Sequence, residues 1–125
     1  MRQPVSGGLA ALIALLGGSA VIAGAFGAHA LRGSLDDAHL AIWKTGVDYH
    51  FWHSLALLGA VVGASATRAR HVAVVLFTAG IVLFSGSLYA LALGAPRFLG
   101  IITPVGGVAF VAGWIALALA LRRRD

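Results

Sequence analysis

The 125-residue sequence contains no cysteine and few charged residues. Without cysteine, the chain can form neither a disulfide framework nor a thiolate site. Charged residues make up 10% of the sequence and hydrophobic residues 60%, whereas a typical soluble domain carries roughly 25% charged residues. Basic residues outnumber acidic ones by nine to four. In a polar chain this balance would suggest nucleic acid as a partner. Here the basic residues flank apolar runs, which indicates a membrane protein with no nucleic-acid partner.

Long apolar runs dominate the chain, and a helix needs about 20 such residues to cross the hydrocarbon core of a membrane. Four segments meet this requirement, at residues 7–30, 47–66, 71–93 and 99–121. The first run exceeds the roughly 7–15 apolar residues of a signal peptide, so we interpret it as a retained span. The sequence therefore predicts one all-α domain, an antiparallel bundle of four transmembrane helices.

The segment between the first two spans, GSLDDAHLAIWKTG at residues 33–46, has a different pattern. Ser34 followed by Asp37 resembles a helix capping box, and Trp43 suits the headgroup level of the membrane, where tryptophan is enriched. We predict a short interfacial helix over residues 35–45, with Trp43 facing lipid and Gly46 leading into the second span.

Basic residues are distributed unequally between the two ends of the predicted spans. One end carries Arg2, Arg68, Arg70, Arg122, Arg123 and Arg124. The other carries Arg32, Lys44 and Arg97, joined by Asp36 and Asp37. Because the more basic side of a membrane protein faces the cytoplasm, we predict that both termini are cytoplasmic.

Polar side chains are concentrated in the predicted outer halves of the four spans. The candidate ligand-binding cluster contains His29, Tyr49, His50, His53, Ser85, Ser87, Tyr89 and Thr103. Helical spacing places Tyr49, His50 and His53 on one face of the second span. His53 is the predicted hub, hydrogen-bonded to the first or third span. Asp48 points away from His53 and is predicted to pair with Lys44.

Three interpretations of this cluster are open. In the preferred one its hydrogen bonds hold the helices together, at about 0.6 kcal/mol each, and the protein is a non-enzymatic bundle that interacts with lipid, with a membrane protein partner or with copies of itself. In the second, Tyr49, His53, Ser85 and Tyr89 line a pocket for a polar headgroup or a quinone. The third is a zinc or copper site.

The metal interpretation uses His29, His50 and His53 as candidate ligands, since imidazole suits both zinc and copper. No carboxylate or thiolate clearly completes the set. We expect no cofactor, keep the metal as an open alternative, and assign no catalytic residue.

Four ordered motifs carry a family resemblance: AFGAHAL (25–31), WKTGVDYHFWHSLALL (43–58), LFSGSLYALAL (83–93) and GIITPVGGVAFVAGW (100–114). They closely resemble the YgdD/YwdK-like family of small bacterial inner-membrane proteins, domain of unknown function 423. The resemblance spans nearly the whole chain and implies a four-span protein of the cytoplasmic membrane, without supplying an activity. The chain departs from the family pattern at His50, where relatives often carry glutamine. This departure argues against a metal site that depends on His50 and leaves a hydrogen-bonding role intact.

Overall fold

The computed structural model describes residues 4–122, and all regular structure in this range is helical. Four long helices follow one another: α1 (Gly7–His29), α2 (Asp37–Gly63), α3 (Arg68–Ala92) and α4 (Arg97–Leu121). The prediction of an all-α chain is therefore confirmed. Among the described residues, α1, α3 and α4 are long and apolar enough to cross a membrane. The polar residues in the first half of α2 make that helix less apolar.

The prediction of a separate interfacial helix over residues 35–45 is wrong, because α2 is one continuous helix. The residue that caps its start is Asp36, whose carboxylate accepts a hydrogen bond from the backbone N–H of His39 at 2.8 Å. This bond holds the pKa of Asp36 below its usual range. The helix then continues through Gly46. A Cβ atom at Gly46 would lie 2.9 Å from the Tyr89 ring, so this glycine serves close helix packing and does not break the helix.

Trp43 was predicted to face lipid, and this prediction is also wrong. Its side chain is only 8% exposed and its indole N–H donates to the carbonyl of Ala23 in α1 at 2.9 Å. A Cβ atom at Gly27 would lie 2.6 Å from the indole ring. Because Gly27 has no side chain, the Trp43 ring fits between α1 and α2. The Ala23 carbonyl accepts the hydrogen bond of its indole N–H.

The helices pack in chain order, α1 on α2, α2 on α3 and α3 on α4. The connections at residues 30–36, 64–67 and 93–96 are short, which makes sequential helices antiparallel. As a consequence α1 and α3 run in the same direction. Leu9 of α1 lies beside Arg70 and Val74 near the start of α3. Leu31, just after α1, belongs to the same hydrophobic cluster as Ala92 at the end of α3.

The α3–α4 pair is the most closely packed part of the fold, and glycines make the approach possible. A Cβ atom at Gly106 would overlap the backbone of Phe84, and one at Gly113 would lie 2.8 Å from the Phe77 ring. Phe84 belongs to a π-helical turn, Ile81–Ser85, between the α-helical parts Arg68–Gly80 and Gly86–Ala92. Small residues at such positions allow helix backbones to meet closely inside a membrane.

Candidate functional site

The two histidines of the predicted cluster lie in the middle of the bundle. His50 is the central residue of α2, about 20 Å from each end at a rise of 1.5 Å per residue. Both His50 and His53 are 4% exposed. Helix α2 begins at Asp37, before the predicted start of the second span at residue 47, so both histidines lie further along their helix than those predicted bounds placed them.

His50 joins three helices. Its Nε2 lies 2.9 Å from the carbonyl oxygen of Leu16 in α1. Because a carbonyl only accepts, this contact places the proton on Nε2. Nδ1 then accepts from the hydroxyl of Tyr89 in α3 at 2.8 Å. The hydroxyl of Ser19 lies 3.0 Å from the same Nε2 and donates to the Leu16 carbonyl at 3.1 Å. We call His50, Ser19, Tyr89 and the Leu16 carbonyl the His50 junction.

His53 is held differently, although it lies one turn further along α2. Its Nδ1 lies 2.7 Å from the carbonyl of Tyr49, and the indole N–H of Trp114 in α4 donates to Nε2 at 3.0 Å. Since an indole N–H only donates, Nε2 carries no proton and the ring is neutral. The imidazole stacks on Phe110, with ring centroids 3.6 Å apart and planes 13° from parallel.

Besides Phe110, three more aromatic rings surround the His53 imidazole. Their centroids lie 5.8–5.9 Å from it, and they belong to Tyr49, Phe77 and Trp114. We call His53 and these four aromatic residues the His53 stack. The prediction that His53 is the hub, bonded to the first or third span, is wrong. That role belongs to His50, because the side of α2 that carries His53 faces α4.

The hydroxyl residues of the cluster form separate links between helices. Ser85 is fully buried and donates to the carbonyl of Gly46 at 2.7 Å, which ties the π-helical turn to α2. Ser87 donates to the carbonyl of Phe84 at 2.9 Å, so Thr103 supplies the proton for the 2.6 Å contact between the Ser87 and Thr103 hydroxyls. That second link joins α3 to α4.

Two further predictions concern the Lys44–Asp48 pair and the position of His29. The predicted pairing of Lys44 with Asp48 is confirmed, at 3.7 Å between the charged atoms. His29 is exposed at the end of α1, away from the central histidines. The eight predicted residues therefore do not line a single pocket.

The geometry places the three candidate metal ligands apart. The lone pair of His50 Nδ1 accepts from Tyr89, and that of His53 Nε2 accepts from Trp114. Between residues 4 and 122 no three His, Cys, Asp or Glu side chains are grouped as a metal ion would require. Among residues 4–122 no acid is hydrogen-bonded to either histidine, as a hydrolytic triad would require.

Two residues of these links were missing from the predicted cluster, Ser19 and Trp114. Ser19 carries the only hydroxyl in α1, and a single hydroxyl in an apolar helix indicates a residue that needs a hydrogen-bond partner. Trp114 lies well inside α4, where a lone N–H donor needs an acceptor. Both were overlooked because the cluster was drawn at one end of the spans.

A lateral groove lies beside the His53 stack, between α2 and α4, with a volume of about 550 Å³. Its lining is apolar and aromatic: Tyr49, Trp52, His53, Leu55, Gly107, Phe110, Val111 and Trp114. We call it the α2–α4 groove. Trp52 and Trp114 are 54% and 49% exposed, so two indole rings are available to an apolar occupant.

Comparison with known proteins bears on this geometry. A family profile described as "Protein of unknown function (DUF423)" matches residues 23–107. The chain belongs to the DUF423 family. The matched DUF423 region contains His50, His53 and Tyr89 but ends before Trp114.

Similar DUF423 relatives come from two bacterial genera. The UPF0382 membrane protein YwdK of Bacillus subtilis is 48% identical over 117 residues, which cover 90% of this chain and 91% of YwdK. A UPF0382 membrane protein of Staphylococcus epidermidis is 48% identical over 103 residues, covering 81% and 84% of the two chains. No solved structure matches the chain. The relatives' names and the three apolar helices identify a bacterial membrane protein whose family has no established activity.

Proposed function

We propose that this DUF423 protein is a non-enzymatic, four-span protein of the bacterial cytoplasmic membrane that acts by binding membrane lipid at its outer surface. One observation carries the proposal. In the range 4–122 every buried side-chain nitrogen and oxygen atom has a hydrogen-bond partner within the chain. An interior whose polar groups are all paired is suited to holding helices together and offers no free group for chemistry. The function is therefore assigned to the surface.

The parallel arrangement of α1 and α3 supports α2 as the fourth span. Leu9 and Arg70 share one end of the bundle, whereas Leu31 and Ala92 share the other. If α1 and α3 both cross in the same direction, the chain must return between them. The helix that makes this return is α2, which at 27 residues is about 40 Å long. Its two buried histidines are tolerable within a span because groups on α1, α3 and α4 pair with them.

The distribution of charge supports cytoplasmic termini. Arg68, Arg70 and Arg122 lie at the end that would face the cytoplasm under the positive-inside rule. Arg2, Arg123 and Arg124, which the sequence places at the same end, lie outside the described residues.

Single cysteines test the span count and the orientation together, because the natural chain contains none. Ser34→Cys and Ser65→Cys lie in the loops at opposite ends of α2. An impermeant thiol reagent on intact cells (or on spheroplasts, where an outer membrane is present) should label position 34 and spare position 65 until the membrane is opened. Equal labelling of both positions would overturn the four-span arrangement, and the reverse pattern would overturn the orientation.

The α2–α4 groove is the surface feature that best suits a hydrocarbon chain. It opens sideways between two membrane-crossing helices, and its lining is mainly apolar and aromatic. A lipid chain in this groove would cover Phe110 and the two exposed indole rings. Its aromatic lining also favours a second candidate, the flat ring of a prenylated quinone, which stacks on such faces.

A photoactivatable acyl-chain phospholipid tests the groove. In liposomes, adducts mapped by mass spectrometry should concentrate on Leu55 and Val111. Gly107→Leu should reduce them, because a Cβ atom there meets only the Phe84 ring at 3.9 Å and the longer side chain extends into the groove. Gly59→Leu is the matched control, since a Cβ atom at Gly59 meets nothing within 4 Å.

Adducts spread evenly over all lipid-facing residues, and insensitive to Gly107→Leu, would overturn lipid binding in the groove. Loss of the adducts on adding a prenylated quinone, with no effect of a saturated chain of equal length, would favour the second candidate.

A further inference from the structure

The end of the bundle opposite Asp36 contains a crevice between the starts of α1 and α3, with a volume of about 220 Å³. Its walls are Leu9 from α1, and Ala66, Thr67, Arg70, His71 and Val74 from the start of α3 and the loop before it. Leu9 and Val74 are apolar side chains from two different helices, whereas Thr67, Arg70 and His71 are polar. We call it the Arg70 crevice.

We propose that the Arg70 crevice binds the phosphate of an anionic phospholipid, whose acyl chains lie along α1 and α3. The proposal rests on the four-span arrangement given above, which places this crevice at the membrane surface. It goes beyond general lipid contact, because it names a headgroup class and the residues that recognise it.

Arg70 is fixed in place before any ligand arrives. Its Nη1 donates to the carbonyl oxygens of Val61 and Ala64 at 3.4 and 3.3 Å, at the end of α2. A guanidinium has five N–H donors in a rigid fork, so Nε and Nη2 retain three that have no acceptor among residues 4–122. A half-buried, oriented guanidinium with spare donors is well suited to bind two phosphate oxygens at once.

The two ends of the bundle differ sharply in charge. The three carboxylates in the described range, Asp36, Asp37 and Asp48, all lie towards the far end, where Arg32, Lys44 and Arg97 offset them. The end that contains the crevice carries Arg68, Arg70, Arg122 and the exposed His71, and no described carboxylate.

The membrane is the source of anion that this position favours. A basic recess between transmembrane helices, at the level of the headgroups, is the usual form of an anionic-lipid site. The crevice has an apolar wall formed by Leu9 and Val74, and Val75, one turn after His71 on α3, is 49% exposed and extends apolar surface towards the acyl chains. A soluble phosphate would use Arg70 and gain nothing from that wall.

The test measures lipid binding to the full-length protein in neutral detergent micelles by native mass spectrometry. Phosphatidylglycerol should bind more tightly than phosphatidylcholine, and the preference should weaken as salt screens the charges. Arg70→Gln should weaken phosphatidylglycerol binding by about tenfold, the scale of one lost charge-assisted contact. Arg32→Gln, at the far end, is the matched control and should leave the binding unchanged.

Arg70→Gln also removes the bonds to the end of α2 and could unfold the protein. His71→Glu avoids this difficulty, because His71 is exposed and makes no side-chain hydrogen bond among the described residues. It should reduce phosphatidylglycerol binding by about tenfold, through repulsion, and leave the thermal stability of the lipid-free protein unchanged.

Equal binding of the two lipids, or equal losses in Arg70→Gln and Arg32→Gln, would overturn the proposal. Competition by inorganic phosphate at lipid-like concentrations would also overturn it, because a soluble anion would then suffice. If the protein shows no preference for phosphatidylglycerol but the cysteine labelling is as expected, the crevice proposal is wrong and the four-span arrangement stands. Retained preference with reversed labelling would reject the orientation alone.

Discussion

His50 and His53 lie one helical turn apart on α2 and are equally buried, yet their surroundings have little in common. His50 is bonded to a carbonyl of α1 and a hydroxyl of α3. His53 is stacked on Phe110 and bonded to one indole of α4. The first relies on directional bonds between three helices and the second mainly on ring contact. The same residue type thus holds the bundle together by two different means.

The two histidines can be compared directly by replacing each with phenylalanine and measuring the change in the free energy of unfolding. His50→Phe should lower the free energy of unfolding by about 2 kcal/mol, because it leaves the buried Tyr89 hydroxyl without an acceptor and breaks the link to α1. His53→Phe should lower it by about 1 kcal/mol, because a phenyl ring keeps the stack and leaves only the Trp114 N–H unpaired. The measurement is loss of helical circular dichroism as sodium dodecyl sulfate is added to protein in mild detergent.

His50→Gln is the control for that experiment, because a side-chain amide can accept from Tyr89 and donate to the Leu16 carbonyl. It should cost clearly less than His50→Phe. If the two phenylalanine variants lost equal stability, the distinction between a polar junction and an aromatic stack would not hold.

Replacing the hydrogen-bond partner of each histidine should lower the free energy of unfolding by less than replacing His50 itself. Tyr89→Phe and Trp114→Phe each remove one hydrogen bond and keep a ring, so each should cost about 1 kcal/mol. When Tyr89→Phe is combined with His50→Phe, the free energy of unfolding should fall little further, because the two residues share one hydrogen bond and are therefore coupled. Trp114→Phe combined with His50→Phe should be additive within about 0.5 kcal/mol, because the two share no partner. Strong coupling of Trp114 to His50 would mean that the junction and the stack form a single network.

The smallest effect is expected at Ser19. Its hydroxyl lies within 3.0 Å of His50 Nε2, but that nitrogen also donates to the Leu16 carbonyl. Ser19→Ala should therefore cost at most about 0.5 kcal/mol, in line with average hydrogen bonds inside membrane bundles. A loss as large as that of Tyr89→Phe would instead make Ser19 the main link from α1 to His50. The same denaturation measurement decides between these outcomes.

The candidate site was predictable only as a set of residue types. Six predicted members do form hydrogen bonds between helices, namely His50, His53, Ser85, Ser87, Tyr89 and Thr103. The Tyr49 ring packs against Phe84 and Phe110. Which residue meets which was not predictable, since helical spacing orders the faces of one helix but does not say which neighbour covers each face. The roles of His50 and His53 were consequently exchanged, and Trp114 was not considered.

The sequence by itself determined that the chain is helical, apolar and without thiol chemistry, and that Lys44 and Asp48 pair along one helix. These properties depend on composition and on residues within one turn of each other, so no distant contact is needed to read them. Tertiary structure decided that α2 is one continuous helix and which neighbouring helix covers each of its histidines. Gly27 admits the Trp43 ring and Gly46 admits the Tyr89 ring. Because those contacts join residues far apart in the chain, the packing of neighbouring helices, and not local pattern, explains why α2 continues unbroken through Gly46.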